Sequence, residues 1–76
     1  MSTEYRFEGP PGAGGAAFYA SDGRAMSVAK VILRKRWRGS GDLVKVFRRT
    51  LDGEVFMGHA EYDSRKRVVL WYPSGK

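Results

Sequence analysis

Ala25-Met26-Ser27-Val28-Ala29-Lys30-Val31-Ile32-Leu33-Arg34-Lys35-Arg36-Trp37-Arg38 decides the fold, because it fits two periods at once. From Val28 to Trp37 one alternating set, Ala29, Val31, Leu33 and Trp37, is apolar apart from Lys35. The opposite set, Lys30, Arg34, Arg36 and Arg38, is basic apart from Ile32. Period two with β-branched residues is the pattern of a half-buried strand, and the strand is the favoured reading. Met26, Ala29, Leu33 and Trp37 also recur at helical spacing, so a helix over residues 25–38 is the rival.

Downstream the signals are clearer. Arg38-Gly39-Ser40-Gly41-Asp42 breaks the first element, and Leu43 to Thr50 reads as a strand. Leu51-Asp52-Gly53-Glu54 places Asp-Gly between two β-rich runs, the strongest short-range hairpin signal in the chain. Val55 to Tyr62 follows as a strand. Asp63-Ser64-Arg65-Lys66 makes a turn, and Arg67 to Tyr72 is a further strand that Pro73 stops.

Upstream, Gly9-Pro10-Pro11-Gly12-Ala13-Gly14-Gly15 has no periodicity and reads as a linker or long loop. Residues 1–22 are therefore expected to form a flexible N-terminal arm, and residues 23–76 a single small basic β domain. Tyr5-Phe7 or Phe18-Tyr19 could add a fifth strand, and Ser21-Asp22-Gly23-Arg24 a tight turn. The expected fold is all-β: a small curled antiparallel meander, or an SH3- or OB-like barrel, of four to five strands. With 76 residues there is room for one core and no deep enclosed pocket.

The charge is unevenly spread. Residues 1–23 set Arg6 against Glu4, Glu8 and Asp22, a net of −2 within a chain of net charge +6. The excess lies in three clusters: Arg34-Lys35-Arg36 with Arg38, Arg48-Arg49, and Arg65-Lys66-Arg67. Arginine predominates, and its forked donors fit phosphate oxygens while its plane stacks on bases. Aromatic residues lie among the clusters. Phe47, Phe56, Trp71 and Trp37 are expected mainly in the core, whereas Trp37 and Tyr72 are candidate stacking platforms for a base.

Catalysis is not expected. The glycine-rich stretch looks like the phosphate loop of adenylate-kinase-type enzymes. Gly15 stands where the phosphate-reaching lysine belongs, however, and Ala16 where the metal-binding Ser or Thr belongs. His59, Glu61 and Asp63 alternate on one strand, but a metal site needs ligands fixed from more than one element, so no metal and no cofactor are expected. There is no apolar run of membrane-spanning length and no secretory leader pattern at the N-terminus, so membrane insertion is not expected. Cysteine is absent, which excludes disulfides and fits a cytoplasmic protein. Asparagine and glutamine are absent too, as in a thermophilic source or a GC-rich genome.

The expected function is non-catalytic, largely sequence-independent binding of DNA or RNA, chromatin-like or RNA-chaperone-like and nucleoid-associated if the ligand is DNA. Arg34, Lys35, Arg36, Arg38, Arg48, Arg49, Arg65, Lys66 and Arg67 would meet phosphates on one basic sheet face, with Trp37 and Tyr72 on bases. In size, charge and β content the chain is similar in kind to small archaeal chromatin proteins built on SH3-like barrels, without sharing their motifs. No small-molecule substrate is expected. The alternative is a protein–protein module, of the kind a phage or virus encodes to regulate a host complex, docking an acidic partner. Residues 68–72 are apolar on both faces, so the arm or a second subunit would cover one of them, which leaves a homodimer open.

Overall fold

In the computed structural model, which describes residues 2–10, 14–36 and 43–74, the chain forms one antiparallel sheet with a helix across one face. The elements run β1 (Thr3–Glu8), β2 (Gly15–Tyr19), α1 (Asp22–Arg36), β3 (Leu43–Thr50), β4 (Gly53–Asp63) and β5 (Val68–Pro73). The sheet order is β2-β1-β3-β4-β5, so β1 is inserted beside β3 and the sheet stays open, with β2 and β5 at its edges. The antiparallel sheet expected from the sequence is formed; closure into a barrel is not, because β2 and β5 lie at opposite sides. Among the described residues, no helix is long and apolar enough to cross a membrane.

Residues 22–36 form a helix, so the strand reading of Val28–Trp37 is corrected. The two exceptions to the alternation explain why. Ile32 joins Val28 against the core, while Lys35 points to solvent, as a stripe of period 3.6 requires. Ala25, Ala29 and Leu33 lie one turn apart along the centre of that stripe and are fully buried. The presumed turn at 21–24 is the helix start: the Arg24 amide donates to Ser21 Oγ at 3.2 Å, a side-chain cap.

The expected flexible arm over residues 1–22 also gives way, for its described part, to β1 and β2. Tyr5 and Phe7 alternate with Arg6 and Glu8, so β1 presents two aromatic rings to the helix and two charges outward. With Val44 and Val46 of β3 and Ala60 of β4, they complete the core. Tyr19 packs its ring against both, at 6.1 Å from each. Both N-terminal segments thus enter the sheet.

β3 and β4 pair through the expected hairpin. Leu51 and Asp52 form its tip, and Gly53 supplies the positive φ of 131° directly after it. Farther along, the register slips between Val46 and Phe47, so that Met57 of β4 has no partner on β3. The bulge reverses the inside–outside parity of β4. Phe56 therefore points away from the helix, beside Phe47, and both leave the core to which the sequence reading assigned them. Trp71 does pack against the core, opposite Ala60.

One contact ties the helix start to the sheet. The Tyr5 hydroxyl donates to Asp22 Oδ1 at 2.6 Å, and Arg48 Nη1 donates to Asp22 Oδ2 at 2.8 Å. Burial, and then the hydrogen bond to Asp22, push the Tyr5 phenol above its ordinary value of 10.0. The folded state thus favours the neutral phenol. This contribution is complete below about pH 10 and is lost as pH rises through the raised folded value. Tyr5→Phe is expected to lower stability by about 1 kcal/mol at neutral pH. It should also remove this share of the alkaline loss, so urea denaturation of the two proteins near pH 8 and near pH 11 should show the gap closing.

Candidate nucleic-acid interface

The helix positions the first basic cluster. Asp22, at its start, lies by Tyr5 and Arg48, and fifteen residues at 1.5 Å each carry the chain about 22 Å along the sheet. The chain must then return to Leu43, at the far end of β3 from Arg48. The helix also reaches β5, which pairs only with Gly58–Asp63 in the Leu43 half of β4. Arg34 and Lys35 are exposed in its final turns, and Arg36 is its last residue. Trp37 and Arg38 lie outside the described residues.

The second cluster arrives from the other direction. Leu43 pairs with Glu61, and two residues later Asp63 opens the connection to Val68. Arg65, Lys66 and Arg67 are that connection, and all three are exposed. Asp63 shapes it: its Oδ1 accepts from the Arg65 amide at 2.9 Å and the Lys66 amide at 3.3 Å, and its carbonyl from the Arg67 amide at 2.7 Å. Arg67 takes a φ of 58°, which lets the chain turn into β5. Arg34, Lys35, Arg65, Lys66 and Arg67 thus share one end of the sheet. None of them has an ion-pair partner among the described residues.

Arg48 and Arg49 lie elsewhere. Arg48, on the helix side, is held by Asp22, whereas Arg49 points outward opposite Glu54 near the hairpin tip. The single basic sheet face expected from the sequence is therefore not formed. The clusters divide between the end of the sheet towards which the last helical turns and the β4–β5 turn both lie and an opposite end where Arg48 is paired with Asp22.

The outward face of the sheet is aromatic rather than basic. Phe47 and Phe56 have ring centroids 5.2 Å apart, and Tyr72 stacks on His59 at 5.2 Å and 27°. His59 Nε2 lies 3.2 Å from Glu61 Oε1 on the same face. Arg6 crosses over Phe47, with its Cζ 4.3 Å from the ring centre, and reaches Glu54 on β4. Its Nε and Nη2 donate to the two Glu54 oxygens at 2.8 and 2.9 Å, and Nη1 donates to Glu8 at 2.9 Å. That fork holds the Glu54 carboxyl below the usual carboxylate range and raises the Arg6 guanidinium further. Glu4, Glu8, Glu54 and Glu61 more than match Arg6, Lys45 and Arg49 across this face, so a phosphate chain gains no net attraction there.

Tyr72, the one described aromatic candidate, is 41% exposed and belongs to this outer face. Sequence reading passed over Arg6 and Asp22 by placing them in an arm. The alternation of Arg6 with Tyr5 and Phe7 was the available signal. Comparison of the chain with protein-family models, with curated proteins and with solved structures yields no match.

Proposed function

We propose that this protein binds DNA or RNA, without catalysis and largely without sequence preference, through the end of the molecule that carries Arg34, Lys35, Arg65, Lys66 and Arg67. What supports this reading is that two clusters some thirty residues apart in sequence lie towards the same end of the sheet, exposed and without an ion-pair partner among the described residues. Asp63, the nearest acid in sequence, has one carboxylate oxygen engaged with backbone amides. Cations arranged in this way neutralise phosphates and release counterions. The ligand passes over the helix end and the β4–β5 turn, not across the open sheet. Tyr72 lies on the outer face, so base stacking is at most an accessory to phosphate contact. A nucleoid-associated role follows if the ligand is DNA.

Titration with duplex DNA, single-stranded DNA and single-stranded RNA of equal length tests the proposal. At roughly 50 mM salt binding should be micromolar or tighter, and at roughly 200 mM weaker by two or more orders of magnitude. Absence of binding to all three at the lower salt would overturn it. A protein partner, docked through the aromatic residues of the outer face and bound with little salt dependence, would then be the better reading.

A further inference from the structure

We propose that two copies of this chain associate by antiparallel pairing of their β2 edges, continuing the sheet across a two-fold axis at Ala17. β2 reads Gly15-Ala16-Ala17-Phe18-Tyr19, an edge strand with no charged residue and no proline. Soluble proteins ordinarily protect such an edge with charge, proline or cover. β5, the other edge, has that protection: it ends in Pro73 and follows the Arg65-Lys66-Arg67 turn.

The size pattern of β2 selects a second copy as the occupant. Antiparallel pairing about Ala17 sets Gly15 opposite Tyr19 of the second copy and Ala16 opposite its Phe18. Large side chains meet small ones in both directions, as a two-fold contact requires. Phe18 is 66% exposed on the outer face, and in the pair it packs over the second copy's Ala16. On the helix side, Gly15 and Ala17 leave a groove of about 160 Å³ bounded by Phe7, Tyr19, Val28 and Ile32. Tyr19 of the second copy, arriving opposite Gly15, lies at the mouth of that groove.

The charge of the β4–β5 turn does not oppose the approach. Each copy carries +6, but the β4–β5 turn lies on the opposite side of the sheet, four strand spacings or about 19 Å from β2. That exceeds the screening length of about 10 Å at 0.1 M salt. The helix that borders the groove through Val28 and Ile32, by contrast, also carries Arg34 and Lys35, so association is expected to strengthen as salt rises. A five-residue edge buries less than the roughly 1,200 Å² of a standard stable interface, so the dimer is expected to dissociate in the micromolar to millimolar range. This inference stands apart from nucleic-acid binding and holds whether or not any ligand is bound.

Light scattering during size-exclusion chromatography, over a roughly hundredfold range of concentration, should show monomer giving way to dimer. Ala16 is exposed, so Ala16→Lys and Ala16→Glu retain the fold by circular dichroism while placing like charges diagonally across the axis. Each is expected to raise the dissociation constant roughly tenfold or more, and mixing the two should restore the dimer. If either fails to fold, Phe18→Ser removes the exposed ring instead and should weaken the dimer. A wild type that stays monomeric up to millimolar concentration would overturn the proposal. So would a dimer indifferent to these substitutions, which would have to use another surface.

Discussion

Gly58→Ala is expected to remove roughly 3–5 kcal/mol of stability, a large share of what a domain of 76 residues possesses. Gly58 is buried in β4 beside the bulge, with a φ of 146° that side-chain-bearing residues rarely adopt. A Cβ added there would lie 2.8 Å from Pro73 Cα and 2.9 Å from Trp71 Cζ2, and would press on the Tyr72 carbonyl. Two of these neighbours are backbone atoms of β5, which cannot yield without breaking the β4–β5 ladder. Strain and overlap therefore add. Gly53→Ala is the control, since its φ is 131° but nothing lies within 4 Å of the added carbon. It should lose only the strain component, about 1–2 kcal/mol. Urea denaturation of the two variants separates backbone strain from overlap. Equal losses would mean that β5 does not pack over Gly58 as described.

The second large effect concerns binding. Replacing Arg65 and Lys66 together with glutamate is expected to weaken nucleic-acid affinity by at least roughly a hundredfold at low salt, and to reduce the salt slope by about two. The turn should survive, because Asp63 holds those residues through their amides rather than their side chains. Arg67 is left in place, since its positive φ makes it a poor site for a charge test. Arg48→Ala provides the contrast. Its guanidinium is occupied by Asp22, so the change should lower stability and leave affinity nearly intact. The opposite pattern, with Arg48 essential and the turn dispensable, would move the interface to the helix start.

Much of the sheet was legible in the sequence. β3 has the bounds read from its composition, and β4 and β5 differ from theirs by one or two residues. Asp-Gly between two β-rich runs, and Pro73 after a third, are local signals whose physics acts within a few residues. The bulge was not legible. Strict alternation gives Phe56 the same face as Gly58 and Ala60, and only the pairing with β3 shows that Met57 is the extra residue. The outer aromatic face and the strain at Gly58 both follow from that slip.

The candidate site was half legible. Composition alone identified the basic clusters, yet their grouping depends on which ends of which elements adjoin. Arg48 resembled Arg65 as a letter in a basic run, and differs from it because Asp22 comes within 2.8 Å.

By itself the sequence determined a small, strongly basic chain built on an antiparallel sheet, because alternation and turn chemistry are properties of neighbours along the chain. Whether residues 25–36 were helix or strand was a matter for the tertiary structure. Tyr5, Phe7, Val44, Val46 and Ala60 give the sheet one apolar face, which no added strand at an edge can shield from water. A helix with Ala25, Ala29 and Leu33 along one side does shield it, and the burial of that face outweighs the local preference of β-branched residues for strand.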